Sequence, residues 1–85
     1  MDKLLINKKF SQNLRKIRKY KGLTQENVVT KLQLLGSPIS RSTYSLIEMG
    51  RGNIFVSDLV GLQQIFNIDF KDFFEGISVQ RNGRE

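Results

Sequence analysis

Residues 24–48 read TQENVVTKLQLLGSPISRSTYSLIE, and their punctuation decides the fold. Thr24 is an N-cap, with a hydroxyl that accepts an amide of the first turn, and Gln25 takes the first helical position. Val28, Val29, Leu32 and Leu35 recur at helical spacing and supply the buried side of this helix. Gly36-Ser37-Pro38 stops it, because proline has no amide to continue the ladder. Ser40 then caps a shorter helix of about eight residues, Arg41 to Glu48, which Tyr44 and Ile47, three apart, anchor to a core. Arg41, Ser42 and Ser45, with Leu46 and Met49, are left for other directions. So short and polar a helix gains little from propensity alone, and its exposed face is expected to meet something outside the core.

Working outward, Phe10, Leu14 and Ile17 recur at i, i+4 and i+7 and predict a preceding helix over residues 8–20, closed by Gly22 as C-cap. Five positive charges, Arg15, Lys16, Arg18, Lys19 and Lys21, crowd its last two turns and the residue that follows. Downstream, Gly50-Arg51-Gly52-Asn53 is a loop. Ser57 caps a fourth helix with Leu59, Leu62, Ile65 and Phe66 on one stripe. Asp69 caps a short fifth, with Asp72 three residues on and Phe70, Phe73 and Phe74 making it very apolar. The expectation is an all-α, compact five-helix domain over residues 8–76. An N-terminal extension, 1–7, precedes it, and a C-terminal segment and polar tail, 77–85, follow.

Composition limits what such a domain does. Eighty-five residues make one small domain with a thin core. Net charge is +6, unevenly placed: residues 1–41 hold ten Lys/Arg against two acids, residues 42–85 four against six. Such asymmetry points to a polyanion at one end of the molecule. The chain has no cysteine and no histidine, which removes disulfides, zinc fingers, thiol nucleophiles and histidine bases. Leu4-Leu5-Ile6 is too short for a signal or membrane-spanning segment, so a cytoplasmic protein without a membrane partner is expected. Asp69, Asp72 and Glu75 follow helical spacing, but caps and a solvated face explain them. No base, nucleophile or metal cluster converges on them, and the expectation is no catalysis, no metal and no cofactor.

Leu14-Arg15-x-Ile17-Arg18, Gly22-Leu23-Thr24-Gln25-Glu26, Ser40-Arg41-Ser42-Thr43, Ile47-Glu48-x-Gly50-Arg51 and the closing Asp72-Phe73-Phe74 follow one another in a spacing that resembles the phage repressor/Cro-type helix-turn-helix proteins, the Xre family. The resemblance covers residues 8–75 and implies a double-stranded DNA partner and a role in transcription regulation. By it, Arg41, Ser42 and Ser45 occupy the front of the recognition helix, where side chains reach base edges. Arginine there can bond guanine O6 and N7 together. Gln25, Thr43, Arg51, Asn53 and Lys19 are implied phosphate contacts, Gln25 beside the free amides of a helix N-terminus. Arg18 and Glu48 match an ion pair that joins the first and third helices. Two departures stand out: a link between the second and third helices some four residues longer than the compact form, and Met49 where the family usually places a polar residue.

A module this small buries too little surface for strong specificity alone, so a homodimer on an inverted repeat is expected. Phe70, Phe74, Ile77 and Val79 are the candidate interface. The alternative is a protein-interaction module, antitoxin-like, whose apolar C-terminal segment masks a partner protein.

Overall fold

A computed structural model describes residues 3–5, by their backbone, and 7–79. Asn7 opens α1 (Lys8–Tyr20) by accepting the backbone N–H of Phe10 on its side chain. The helix ends where Gly22 turns left-handed at φ +73°, which lets the N–H groups of Gly22 and Leu23 bond back to the carbonyls of Lys19 and Arg18. α2 (Gln25–Leu34) begins with a reciprocal cap. The Thr24 side chain accepts from the Asn27 N–H, and the Asn27 side chain accepts from the Thr24 N–H. Gly36, at φ +103°, closes it as Gly22 closes α1. α3 (Arg41–Glu48) starts at Ser40, whose side chain accepts the Thr43 N–H.

The chain is mostly helical, but not purely so. β1 (Lys3–Leu5), inside the expected extension, pairs antiparallel with β2 (Asn53–Phe55), in the register Lys3↔Phe55, Leu4↔Ile54 and Leu5↔Asn53. Asn53, expected in a loop, is therefore the first residue of a strand. The strand corrects a second expectation, the Ser57 cap. β2 runs straight into α4 (Val56–Phe66), so extended Phe55 takes the N-cap position with no capping hydrogen bond from its side chain, and Ser57 falls inside the helix.

The fifth element also differs from its expectation. Phe70–Phe74 is a single 3-10 stretch, and Asp69 makes no side-chain cap bond to it. What holds it is remote in sequence: buried Asn13 of α1 donates its amide to the carbonyls of Phe73 and Glu75, both at 2.9 Å. Five residues are too few for a stable α-helix, and carbonyls satisfied from outside remove the need for one.

The core lies between α1, α2, α3 and α4, with Leu14, Val28, Tyr44 and Leu62 fully enclosed and Phe73 sealing one end. Leu35 is not part of it. One residue beyond α2, it is turned outward and 55% exposed. Among the described residues no helix is long and apolar enough to cross a membrane. Residues 80–85, the expected tail, lie outside the described residues.

Candidate functional site

Three helices meet at one carboxylate. Glu48, the last residue of α3, receives two bonds from the Arg18 guanidinium of α1, Nε to Oε2 at 2.7 Å and Nη2 to Oε1 at 3.0 Å. Gln25, the first residue of α2, donates its amide to the same Oε1 at 3.0 Å. Arg18 uses Nη1 on the Leu23 carbonyl at 2.8 Å, which ties the start of α2 to the pair. Ser11 adds a second link between α1 and α3 by donating its hydroxyl to the Ile47 carbonyl at 2.6 Å.

The electrostatics follow from this geometry. Burial pushes the Glu48 carboxyl up, but the bonds from Arg18, with the neighbouring Tyr44 hydroxyl and Gln25, outweigh it and leave Glu48 below the usual carboxylate range. Arg18 is raised by its bond to Glu48. The Tyr44 hydroxyl is enclosed beside the pair, close enough to feel both charges yet without a well-formed hydrogen bond of its own. Burial first, and the Glu48 carboxylate second, push it far above the ordinary tyrosine range, so it stays protonated. The arrangement is a fixed, charge-balanced joint. It sets the relation of α3 to α1 and α2.

Around the joint, the expected contact residues other than Gln25 and Ser45 are exposed. Arg41 projects from the first turn of α3 with its side chain 58% exposed, and it lies 4.0 Å from the still more exposed Glu26 carboxylate. A pair this exposed contributes at most about 1 kcal/mol, so Arg41 is in effect free to move. Ser40, Ser42 and Thr43 form a small hydroxyl cluster at the N-terminus of α3, with Ser40 Oγ 3.3 Å from Ser42 and 3.0 Å from Thr43. Ser45 is half-buried one turn on. Lys19, Arg51 and Asn53 are exposed. Gln25 differs from its simple reading: one N–H of its amide is committed to Glu48, leaving the other for an outside acceptor.

The long link between α2 and α3 holds a residue the sequence reading passed over. Gln33 donates its amide to the Ile39 carbonyl at 2.8 Å, and the Ile39 N–H donates to Ser37 Oγ at 3.1 Å. The backbone that delivers Ser40 to α3 is thereby fastened on both sides of Ile39. The serine bond, two residues on, is a local motif legible from sequence. The glutamine bond depends on the fold. Leu46 and Met49 were likewise not assigned a role, and the structure leaves them 43% and 62% exposed.

No family model, curated protein or solved structure matches this chain. Its functional reading therefore rests on the residues and their geometry.

Away from α3, the four aromatic and aliphatic residues of the C-terminal segment are placed unequally. Phe70 and Phe74 are about two-fifths exposed, with the Phe74 ring against Phe10 at 5.6 Å. Ile77 packs partly on the core, and Val79 is 85% exposed. Among the described residues no three His, Cys, Asp or Glu side chains gather as a metal site would need.

Proposed function

We propose that this protein is a sequence-specific double-stranded DNA-binding transcription regulator that uses α2, the link and α3 as a helix-turn-helix. The observation that carries the reading is the pairing of a rigid joint with a free face. Glu48 locks the end of α3 to α1 and α2, while Ser40, Arg41, Ser42 and Thr43 at its start are exposed. A helix presented in this way suits insertion into the major groove, with its N-terminal residues at the base edges. Arg41 takes guanine, Ser42 and Ser45 read neighbouring pairs, and Gln25, Thr43, Arg51, Asn53 and Lys19 track phosphates. DNA of this kind implies a cytoplasmic protein, and Phe70, Phe74, Ile77 and Val79 supply the homodimer contact.

Selection from a random duplex library at near-physiological salt tests the reading. An enriched inverted repeat, with half-sites about one helical turn apart, is the expected result. Salt-sensitive binding to every duplex without enrichment overturns it. The exposed Phe70, Phe74 and Val79 support a second reading, an antitoxin-like module that masks a protein partner. That reading gains if no duplex is enriched and a neighbouring gene encodes a small toxin that forms a stable complex with the chain.

A further inference from the structure

The outer face of α3 changes character along its length. Ser42, Ser45, Leu46 and Met49 stand at i, i+3, i+4 and i+7 and so share one side of the helix, opposite the side that carries Tyr44 and Ile47 into the core. At its start this side offers the Ser42 and Ser45 hydroxyls, with exposed Arg41 about a quarter turn away. Past Ser45 it offers only the Leu46 and Met49 side chains, 43% and 62% exposed and outside the core cluster. Between Arg41 and Arg51 it carries no Asn, Gln, Lys or Arg to make a bidentate bond to a base. Exposure alone would decide nothing, since Leu34 and Val79 are more exposed still. The position of the two residues, on the face that also carries Ser42 and Ser45, is what gives them meaning.

We infer that Leu46 and Met49 read thymine by packing against its C5-methyl group. This rests on the DNA-binding reading above and extends it to the composition of the site. In the major groove, thymine alone among the four ordinary bases presents a methyl, and apolar side chains are its natural partner. A leucine and a methionine there would bury against that methyl. Opposite the polar edges of a G·C pair they would strip water from donors and acceptors without replacing it. Methionine, unbranched and adaptable, suits a contact at the end of the helix. Arg41 and Met49 are eight residues apart, about 12 Å along the axis at 1.5 Å per residue, or roughly three to four base-pair steps of about 3.4 Å. The half-site therefore contains a G·C pair met by Arg41 and one or two T·A pairs within about four base pairs of it.

Deoxyuridine, which lacks only the methyl, isolates the interaction. On the duplex enriched in the selection, thymine is replaced by deoxyuridine at one half-site position at a time. Binding is measured for wild type, Leu46→Ala and Met49→Ala, with melting curves as a check on folding. Wild type should lose about fourfold in affinity at one or two positions, the weight of one buried methyl. Leu46→Ala or Met49→Ala should bind the thymine duplex more weakly and be indifferent to deoxyuridine at the matching position. A 5-methylcytosine pair placed there should bind wild type better than unmethylated cytosine. Should either alanine variant melt lower than wild type, Leu46→Gln and Met49→Gln, which keep side-chain length, carry the same comparison. An enriched duplex that wild type binds equally with or without every half-site methyl overturns the inference while leaving the DNA-binding reading intact. So does equal deoxyuridine sensitivity in all variants. Failure to enrich any duplex removes both.

Discussion

Gln25 Nε2 lies 3.0 Å from Glu48 Oε1, so the first residue of α2 is bonded to the last residue of α3. Between those two residues run both helices of the candidate interface and the long link joining them. The same carboxylate takes the Arg18 fork, so the residue proposed to touch phosphate is oriented by the group that anchors α3.

A carboxyl in that position makes stability depend on acid. The folded Glu48 carboxyl sits below its ordinary value of about 4.3, so it contributes stability at pH above that value and loses the contribution as pH falls through the folded value. Glu48→Gln keeps an acceptor for Gln25 but cannot titrate. Urea melts from pH 7 down to pH 3 should show wild type losing stability faster than Glu48→Gln below about pH 5. Parallel curves would remove Glu48 from the acid response. At pH 7, Glu48→Ala leaves the buried Arg18 guanidinium with the Leu23 carbonyl but without its counter-charge, and should cost about 3–5 kcal/mol.

The Gln33 amide should matter for α3 without reading a base. Gln33→Ala leaves the carbonyl of buried Ile39 without its donor, a loss of about 1–3 kcal/mol. The expected phenotype is lower stability and weaker binding to every duplex, with the order of preferred sequences unchanged. A changed base preference would mean that the bond sets which pairs α3 reaches.

How far the sequence reveals these relationships depends on the range of the forces involved. The bounds of α1, α2 and α3 are legible because caps are local: Thr24 and Ser40 bond amides within three residues, and Gly22 and Gly36 close the helices ahead of them. The two strands are not legible. Three residues give no usable alternation, and Lys3 meets Phe55 only through the fold. That pairing moves the start of α4 and strips Ser57 of its cap. Asn13 is another case: nothing near it in sequence says that its amide will hold Phe73 and Glu75. The Arg18–Glu48 pair follows from a family resemblance, whereas Gln25 joining it, and Gln33 fastening the link, depend on how the folded chain brings them to their partners.

Arg41 and Glu26 make a matched pair of tests at the proposed DNA surface. Arg41→Ala should cost about 1–3 kcal/mol on the preferred site and relax one base position. Glu26 sits in the first turn of α2 within 4.0 Å of the Arg41 guanidinium, where its charge would repel phosphate. Glu26→Gln should therefore strengthen binding to all duplexes by a few-fold at low salt, the gain fading as salt rises. Equal weakening of every sequence by Arg41→Ala would reassign Arg41 to a phosphate.

The proposed dimer contact is best probed at Val79, because a truncation would also remove Ile77, which packs on the core. Val79 is 85% exposed and can be changed without opening a cavity. Truncation after Phe74 should lower the dimer fraction in sedimentation, but a fall in stability would accompany it. Val79→Lys separates the two effects. If the C-terminal segment forms the interface, the variant should sediment as monomer at concentrations where wild type is a dimer, with an unchanged melting curve. It should also bind a single half-site as wild type does, and lose the gain from a second half-site. A Val79→Lys protein that still dimerises, and still binds the full repeat better than the half, would remove Val79 from the interface and leave Phe70, Phe74 and Ile77.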